Sequence, residues 1–253
     1  MPQQYFQSWD IQETKIRAEI LSAMRSGARK FVIVVSEVFY ATGLRIPICD
    51  FVNRLKSKLA DLTFHVIVDG TNAVGNRGLV NLDGSWDFYV FSPHKWLMAS
   101  EGCGILISRR FGLSAPYPPG LWQTGERKAD AQVRVLAGLR GALELIKTQG
   151  IGYFAARCEK LRQELKLNLP KGLRLVGDQS SLEQTFILSC CPISGSSWKF
   201  TANELEAAFE SRALRASVLR LDAICPWVRV TVPYYLDVRE LDRLSSFLEG
   251  VTQ

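Results

Sequence analysis

Short apolar runs alternate with segments of helical periodicity up to about residue 110, and this alternation restricts the folds open to the chain. The run FVIVVSEVF is continuous and apolar, as in a strand buried on both faces of a sheet. The apolar runs VIVD and FYVFS follow it, and CGILIS closes the series. Between the first two runs, Pro47 opens a predicted helix through about Leu59 that keeps Phe51, Val52 and Leu55 at helical spacing. Strands that alternate with helices predict an α/β fold, a mostly parallel sheet with flanking helices.

The two ends of the chain follow other patterns. A helix is predicted to begin at the capping-box-like segment Asp10–Glu13. The irregular segment SAPYPPGLWQTG interrupts the chain, two helical stretches follow it, and the tail alternates strands with helices that begin at TANE and DVRE. We therefore predict a large domain at residues 1–125, connecting helices at 126–168 and a smaller C-terminal α+β domain at 169–253.

Composition limits the partners that the chain is expected to have. The formal charge is +6, but basic residues alternate with acids along segments such as RCEKLRQELK, as on a solvated helix face, so nucleic acid is not a predicted partner. No apolar run approaches the roughly 20 residues that cross a bilayer. The N-terminus also lacks the basic and then apolar pattern of a signal peptide. We expect a cytoplasmic protein that does not enter a membrane.

Several classes of site find no support in the sequence. The six cysteines form no C-x-x-C pair, which favours reduced thiols over disulfides. With two histidines and no H-E-x-x-H motif, no metal site is predicted. The chain has no G-x-S-x-G elbow of a serine hydrolase, and its glycines are too sparse for a dinucleotide fingerprint.

One acid and one lysine stand at the ends of two consecutive apolar strands. Asp69 ends VIVD, and Lys95 follows FYVF in the string SPHKWL. Ligands of open α/β sheets bind at such strand ends. Pyridoxal phosphate (PLP) needs an amine for its Schiff base and a carboxylate that keeps its ring nitrogen protonated. Asp69 and Lys95 have these two groups, although a solvated strand terminus and a turn former before Gly70 are the alternative interpretations.

Further polar residues surround this pair in the sequence. Ser92 and His94 lie on either side of a proline, where a hydroxyl and an imidazole can converge on a phosphate beside the amine. Asn72 follows Asp69 by three positions and either contacts a ring substituent or shapes the turn.

The strings VIVDGTNAVG, DFYVFSPHKWL and GCGIL together resemble the core of the class V aminotransferase-fold enzymes. This family includes cysteine desulfurases, isopenicillin N epimerase-like proteins, kynureninase and serine-type transaminases, and its fold is the PLP-dependent transferase fold type I. The resemblance implies that Lys95 forms the Schiff base with the cofactor and shuttles a proton. It also implies that Ser92 and His94 hold the phosphate, that Asp69 pairs with the pyridine nitrogen, and that Asn72 approaches the ring hydroxyl.

The resemblance extends in both directions at lower specificity. The segment SEVFYATGLRIPI is similar to a strand and loop of the family, and PWVRVTV is similar to the element whose arginine binds the substrate α-carboxylate. The resemblance gives that role to Arg229, whose guanidinium suits a carboxylate, although a strand arginine paired with an acid is the alternative. It also implies an amino-acid substrate, a homodimer, and a contact of Thr124 with the partner subunit's phosphate.

The chain also departs from the family pattern. The portion before SEVFYATG is normally far longer and contains the glycine-rich turn that receives the phosphate. The cofactor domain at 1–125 is therefore expected to be incomplete. Three explanations stay open: a fragment or one piece of a split protein that a companion chain completes, a minimal variant whose dimer mate covers the site, or a non-catalytic partner subunit that has lost the cofactor and become a binding or scaffold protein on the same fold.

The reaction type depends on the surroundings of the substrate Cα. The resemblance implies an external aldimine and an α-carbanion. Nearby bases decide whether this carbanion leads to epimerisation, C–S elimination or amino transfer, so the enzyme is predicted to be an epimerase, a C–S lyase or aminotransferase-like. A desulfurase also needs a mobile thiol, but Cys225 stands four residues before Arg229 and is expected to be packed. The string WVR is nearer to the epimerase-like branch, which favours racemisation, elimination or amino transfer over sulfur transfer.

Overall fold

The computed structural model describes residues 9–78, 86–109, 129–177, 180, 182–221 and 225–253. In chain order its helices and strands are α1 (Trp9–Arg25), β1 (Lys30–Ser36), β2 (Leu44–Arg45), α2 (Ile48–Lys58), β3 (Thr63–Asp69), β4 (Phe88–Phe91), β5 (Ile105–Ser108), α3 (Ala129–Gln149), α4 (Ile151–Leu167), β6 (Leu173–Leu175), β7 (Glu183–Gln184), β8 (Ile187–Pro192), α5 (Ala202–Ser211), β9 (Ser217–Leu219), β10 (Trp227–Thr231) and α6 (Val238–Val251).

The chain divides into two compact units. The parallel-sheet unit comprises Glu13–Glu37 and Pro47–Ile151, and the C-terminal unit comprises Met1–Gln12, Val38–Ile46 and Gly152–Gln253. The domain boundaries at residues 125 and 168 stay predictions. No helix of the described part of the chain is long and apolar enough to span a bilayer.

A four-stranded sheet of order β1-β3-β4-β5 forms the parallel-sheet unit. β1, β3 and β4 run parallel, so the mostly parallel sheet predicted from the sequence is confirmed, and β5 is antiparallel to β4. One face buries Phe64, Val66, Val68, Tyr89 and Phe91. Each such side chain contributes about 1.5–3 kcal/mol when it leaves water completely.

β1 is not buried on both faces, and that prediction is wrong. Val32 and Val34 are 64% and 69% exposed, and their neighbours in the strand alternate between exposed and half-buried. The reason is that β1 pairs only with β3 among the described strands, so it lies at the sheet edge. The register places Val32, Val34 and Ser36 beside His65, Ile67 and Asp69, and these six residues share one open face of the sheet.

The predicted helices are present with shifted boundaries. α2 begins after Pro47 as expected and buries Ile48, Phe51, Val52 and Leu55. α1 already includes Trp9 and Asp10, so Asp10 lies inside the helix instead of capping it. Glu13 is buried, and the Arg54 guanidinium of α2 compensates the buried carboxylate with an ion pair at 2.6 Å.

The C-terminal unit is an antiparallel sheet of order β6-β8-β10-β9 with its own apolar core. Members of that core include Leu161 of α4, Leu205 of α5 and Leu241 of α6, each at most 1% exposed. α5 begins at the predicted capping box, in which the Thr201 side chain accepts from the Glu204 N–H and the Glu204 carboxylate accepts from the Thr201 N–H.

Candidate functional site

The first part of the candidate site is the turn that follows β3. The Asp69 carbonyl accepts from the Glu37 N–H at 2.9 Å, and the Gly70 N–H donates to the Val90 carbonyl at 2.8 Å. The Asp69 carboxylate accepts from the Thr71 N–H at 2.9 Å and from the Ser36 hydroxyl at 3.4 Å. Asp69 therefore shapes the turn, as the alternative interpretation proposed, and holds its carboxylate at the open face of the sheet.

Gly70 is required in this turn because an aromatic ring lies against it. A Cβ at this position would stand 2.1–2.2 Å from the ring and hydroxyl atoms of Tyr89. Tyr89 is buried, and its hydroxyl donates to the buried Glu37 carboxylate at 2.5 Å. The sequence interpretation missed both residues. The available signal was an acid inside FVIVVSEVF and a hydroxyl inside FYVF, two polar groups in apolar runs.

The second part of the site is the loop after β4, which packs against the first turn. Gly75 has φ +86°, and a Cβ there would stand 2.8 Å from backbone atoms of Trp96 and 2.7 Å from the Leu97 side chain. The two loops therefore approach each other backbone to backbone. Met98 has φ 59°, a left-handed conformation that is uncommon outside glycine and often found at functional sites.

Lys95 and Asn72 are brought together by this packing. The Lys95 ammonium group donates to the Asn72 side-chain oxygen at 3.3 Å, and the Lys95 side chain is exposed. Asn72 therefore does more than shape its own turn, because it contacts the amine of the other loop. Asp69 stands three residues before Asn72 in the same turn, so the predicted acid and amine belong to two loops in contact.

The predicted phosphate ligands lie in the Lys95 loop. The Nδ1 atom of His94 is buried and has no hydrogen-bond partner within the described ranges, and Ser92 is half-buried. An unpartnered buried nitrogen beside an exposed amine is free to bind an additional ligand. Thr124, the other predicted cofactor contact, lies outside the described residues.

These residues fit the chemistry of PLP. An exposed amine, a carboxylate, an amide, a hydroxyl and an unpartnered imidazole nitrogen belong to the two contacting loops. PLP requires an amine for its aldehyde, a carboxylate for its ring nitrogen, and polar groups for its ring hydroxyl and its phosphate. The roles of Lys95, Asp69, Asn72, Ser92 and His94 towards these groups stay predictions.

Arg229 lies in the C-terminal unit, on β10. Its guanidinium carbon stands 4.2 Å from the centroid of the Tyr40 ring, and one of its terminal N–H groups donates to the Tyr40 carbonyl at 3.4 Å. Among the described residues, Arg229 thus donates to a backbone carbonyl. The alternative interpretation pairs it with the carboxylate of an acid. The role of Arg229 in substrate binding stays a prediction.

The described cysteines near β10 are packed side chains. Cys225 is half-buried, packs against the C-terminal core, and its thiol donates to the Pro226 carbonyl at 3.5 Å. Cys190 and Cys191 are buried in β8, and burial, followed by the charge of Cys191, raises the pKa of Cys190 to about 12. Protonated, buried thiols are poor nucleophiles.

The aminotransferase class-V family model matches residues 12–207, and the chain belongs to that family. The resemblance seen in the sequence is therefore confirmed. Enzymes of this class use PLP. No curated protein sequence matches the chain significantly.

Solved structures share the fold at low sequence identity. One is a complex between a cystine C–S lyase and its reaction product cysteine persulfide, 17% identical with a TM-score of 0.70, covering 88% of this chain and 61% of that one. Another is the apo cysteine desulfurase from Thermococcus onnurineus, 17% identical with a TM-score of 0.66, covering 87% and 59%. A variant of the lyase with glycine covalently linked to its PLP cofactor is 18% identical with a TM-score of 0.68, covering 87% and 60%.

The likeness to these structures confirms the predicted fold class. The matched region covers most of this chain but a smaller share of the solved structures. This chain spans about three fifths of the length of the structures it matches, 61%, 59% and 60% for the three described. The whole-protein activity of those structures therefore does not transfer to this chain by similarity alone.

Proposed function

We propose that the chain binds PLP and acts on an amino acid. The observation that carries the proposal is the contact of the Lys95 amine with Asn72, at 3.3 Å, across two loops that also contain Asp69 and His94. Membership of the class V aminotransferase family supports it. So does the fold shared with a lyase variant whose PLP is linked to glycine.

Each residue of the two loops has a definite task in this proposal. The Lys95 amine would hold the aldehyde of the cofactor, and the Asp69 carboxylate would keep a proton on its ring nitrogen. Ser92 and His94 donate hydrogen bonds to the phosphate. Asn72 orients the Lys95 amine through the contact already present.

The reaction centres on the α-carbon of the substrate. When bound, PLP supplies an electron sink that stabilises negative charge at this carbon. The nitrogen of Lys95 removes the α-proton as a general base and returns a proton later. Asp69 keeps the ring nitrogen protonated throughout, and Arg229 holds the substrate carboxylate.

Among the reactions of the family, we propose epimerisation, elimination or amino transfer in preference to sulfur transfer. Sulfur transfer requires a mobile, ionisable thiol. Cys225 is half-buried against the C-terminal core with its thiol bonded to a carbonyl, and Cys190 is buried with a raised pKa. Neither side chain has the exposure that persulfide chemistry needs.

Covalent attachment of the cofactor tests the proposal. Protein purified with added PLP is reduced with borohydride, digested, and analysed for a peptide that has gained the reduced cofactor. We expect the label on Lys95, its loss in Lys95→Ala, and its retention in the matched control Lys58→Ala, an exposed lysine at the end of α2. A label spread over many lysines, or one that persists in Lys95→Ala, would contradict the proposal.

The open face of the sheet favours a second candidate, a partner subunit whose site a companion chain completes. Val32 and Val34 are exposed on the face that also includes Asp69. Parallel sheets are normally covered on both faces. A companion chain that packs on this exposed face would cover it.

Native mass spectrometry separates the two candidates. A stable complex with one companion polypeptide, in which PLP attaches to Lys95 only when both chains are present, would support the partner subunit. A monomer or homodimer of this chain that takes up PLP unaided would contradict it and favour the complete enzyme.

A further inference from the structure

Tyr40 covers one face of the Arg229 guanidinium in the C-terminal unit. The guanidinium carbon stands 4.2 Å from the ring centroid, well inside the roughly 6 Å of a cation–π contact. One terminal N–H of Arg229 also donates to the backbone carbonyl of the same tyrosine, at 3.4 Å. A single residue therefore contacts the arginine through its ring and through its backbone.

The turn that contains Tyr40 packs against strand β8 and is hydrogen-bonded to strands β7 and β8. Gly43 has φ +70°, and a Cβ there would stand 1.8 Å from the Ile187 carbonyl oxygen, so only glycine lets the turn approach the strand this closely. The buried Ser189 hydroxyl donates to the Ala41 carbonyl at 2.5 Å, and the Gln184 amide donates to the Thr42 carbonyl at 2.7 Å.

Strand β8 also positions Arg229, which lies on the neighbouring strand β10. Ser189 of β8 is the register partner of Arg229 in β10. Ser189, whose hydroxyl donates to the turn, therefore lies beside Arg229, whose guanidinium is covered by Tyr40 of the same turn. Tyr40 and Arg229 are fixed relative to each other by the sheet and not by their own contact alone.

Arg229 retains donors for a ligand in spite of this contact. Its Nε atom is buried and lacks a hydrogen-bond partner in the described part of the chain. One terminal nitrogen of Arg229 donates to the Tyr40 carbonyl. The Nε–H and the other terminal nitrogen lie along another edge of the planar guanidinium, and these two donors are left for a ligand. Two parallel N–H groups on one edge match the two oxygens of a carboxylate.

We propose that Tyr40 is a positioning residue that orients Arg229 for a carboxylate. The proposal rests on the proposed function, which assigns the substrate carboxylate to Arg229. The ring of Tyr40 fixes the plane of the guanidinium, and its carbonyl takes up one terminal nitrogen. The carboxylate then binds at the opposite edge and satisfies the buried Nε–H. The phenolic hydroxyl has no part in this arrangement, so the aromatic ring is the required feature.

Nitrogen NMR of the cofactor-free protein tests the arrangement directly. We expect the Arg229 Nε–H resonance to be displaced by the ring current of Tyr40 and to shift further when acetate is added. Tyr40→Phe should preserve both effects. Tyr40→Ala should abolish the ring-current displacement and weaken acetate binding roughly two- to fivefold, as expected for an exposed cation–π contact.

The matched control is Tyr235→Ala, which removes another exposed tyrosine of the same unit and should leave the resonance unchanged. Tyr40 is 53% exposed, so its replacement should leave the fold intact, and Tyr40→Leu provides a second variant with similar bulk but no aromatic ring. Acetate binding that is equal in wild type, Tyr40→Ala and Tyr40→Leu would overturn the proposal. So would a wild-type resonance that does not respond to acetate.

A second measurement uses protein loaded with PLP and follows the cofactor absorbance as amines are added. L-alanine and ethylamine differ in the carboxylate, so their affinity ratio isolates the contribution of Arg229. We expect Tyr40→Ala to reduce this ratio two- to fivefold and Tyr40→Phe to leave it unchanged. An unchanged ratio in Tyr40→Ala would contradict the role of Tyr40. Absence of cofactor binding in wild type would instead contradict the proposed function, and the acetate titration would still decide on Tyr40.

Discussion

Replacement of Gly70 by alanine should disturb both the stability of the parallel-sheet unit and cofactor binding. The added Cβ would stand 2.1–2.2 Å from atoms of the Tyr89 ring, far inside van der Waals contact. The ring cannot move away easily, because it is 2% exposed, packs on Trp86 at 5.4 Å between centroids, and is bonded to Glu37. The turn or the ring must therefore shift.

The expected cost follows from two opposing effects. Overpacking of a well-packed core costs about 1–3 kcal/mol. Replacing glycine by alanine reduces the entropy of the unfolded chain and returns about 0.4–1 kcal/mol. The free energy of unfolding should thus decrease by a net amount of roughly 0–2.6 kcal/mol, with a central value of about 1.3 kcal/mol. Because Asp69 precedes Gly70 and Asn72 follows it, the shift should also weaken PLP binding.

Urea unfolding and a PLP titration measure the two effects, and Gly78→Ala is the matched control. Gly78 belongs to the same turn region, and no described atom lies within 4 Å of the position of its added Cβ. That variant should be as stable as wild type or slightly more stable. The double variant Gly70→Ala/Tyr89→Leu should lose less than the sum of the single changes. Gly70→Ala with wild-type stability and wild-type PLP affinity would refute the reasoning.

Two further predictions concern the C-terminal unit. Thr201→Ala should destabilise the protein at neutral pH, because it removes the hydroxyl that accepts from the Glu204 N–H and donates to the Glu204 carboxylate. The backbone N–H of Thr201, followed by this hydroxyl, lowers the pKa of Glu204 in the folded state, and the variant loses the contribution of the hydroxyl. A carboxyl with a depressed pKa stabilises above its unfolded pKa and loses this contribution as the pH falls through the folded value. The difference between variant and wild type should therefore shrink in acid, which urea unfolding at several pH values measures. Native protein at neutral pH should not be alkylated by iodoacetamide at Cys190, whose pKa is raised to about 12, and should be alkylated there after unfolding, as peptide mass analysis would show. Rapid native labelling of Cys190 would contradict its burial.

Elements that depend on local patterns were predicted well from the sequence. The order of strands and helices, the start of α2 after Pro47 and the capping box at Thr201 follow from side chains that act within a few residues of one another. The same is true of the strand ends at Asp69 and before Lys95, because an apolar run shows where a buried strand stops.

Features that depend on distant neighbours were missed or misjudged. The apolar run of β1 predicts burial on both faces, yet the side chains of Val32 and Val34 are exposed. The exposure of a strand depends on which elements pair with it and pack on it, and β1 lies at the edge of the sheet. The bond of Tyr89 to Glu37 spans 52 positions, and the contact of Arg229 with Tyr40 spans 189. No periodic pattern encodes contacts at such separations.

By itself the sequence determined the family and the alternating strands and helices, and it predicted Lys95 and Asp69 as the cofactor's amine and acid, since each is encoded in contiguous residues such as SPHKWL and VIVDG. Only the tertiary structure decided that Asn72 meets Lys95, that Gly70 must leave space for a tyrosine ring, and that Arg229 faces Tyr40. The physical reason is that close approach between loops depends on the register of paired strands and on side-chain packing, which bring together residues that the chain itself keeps far apart.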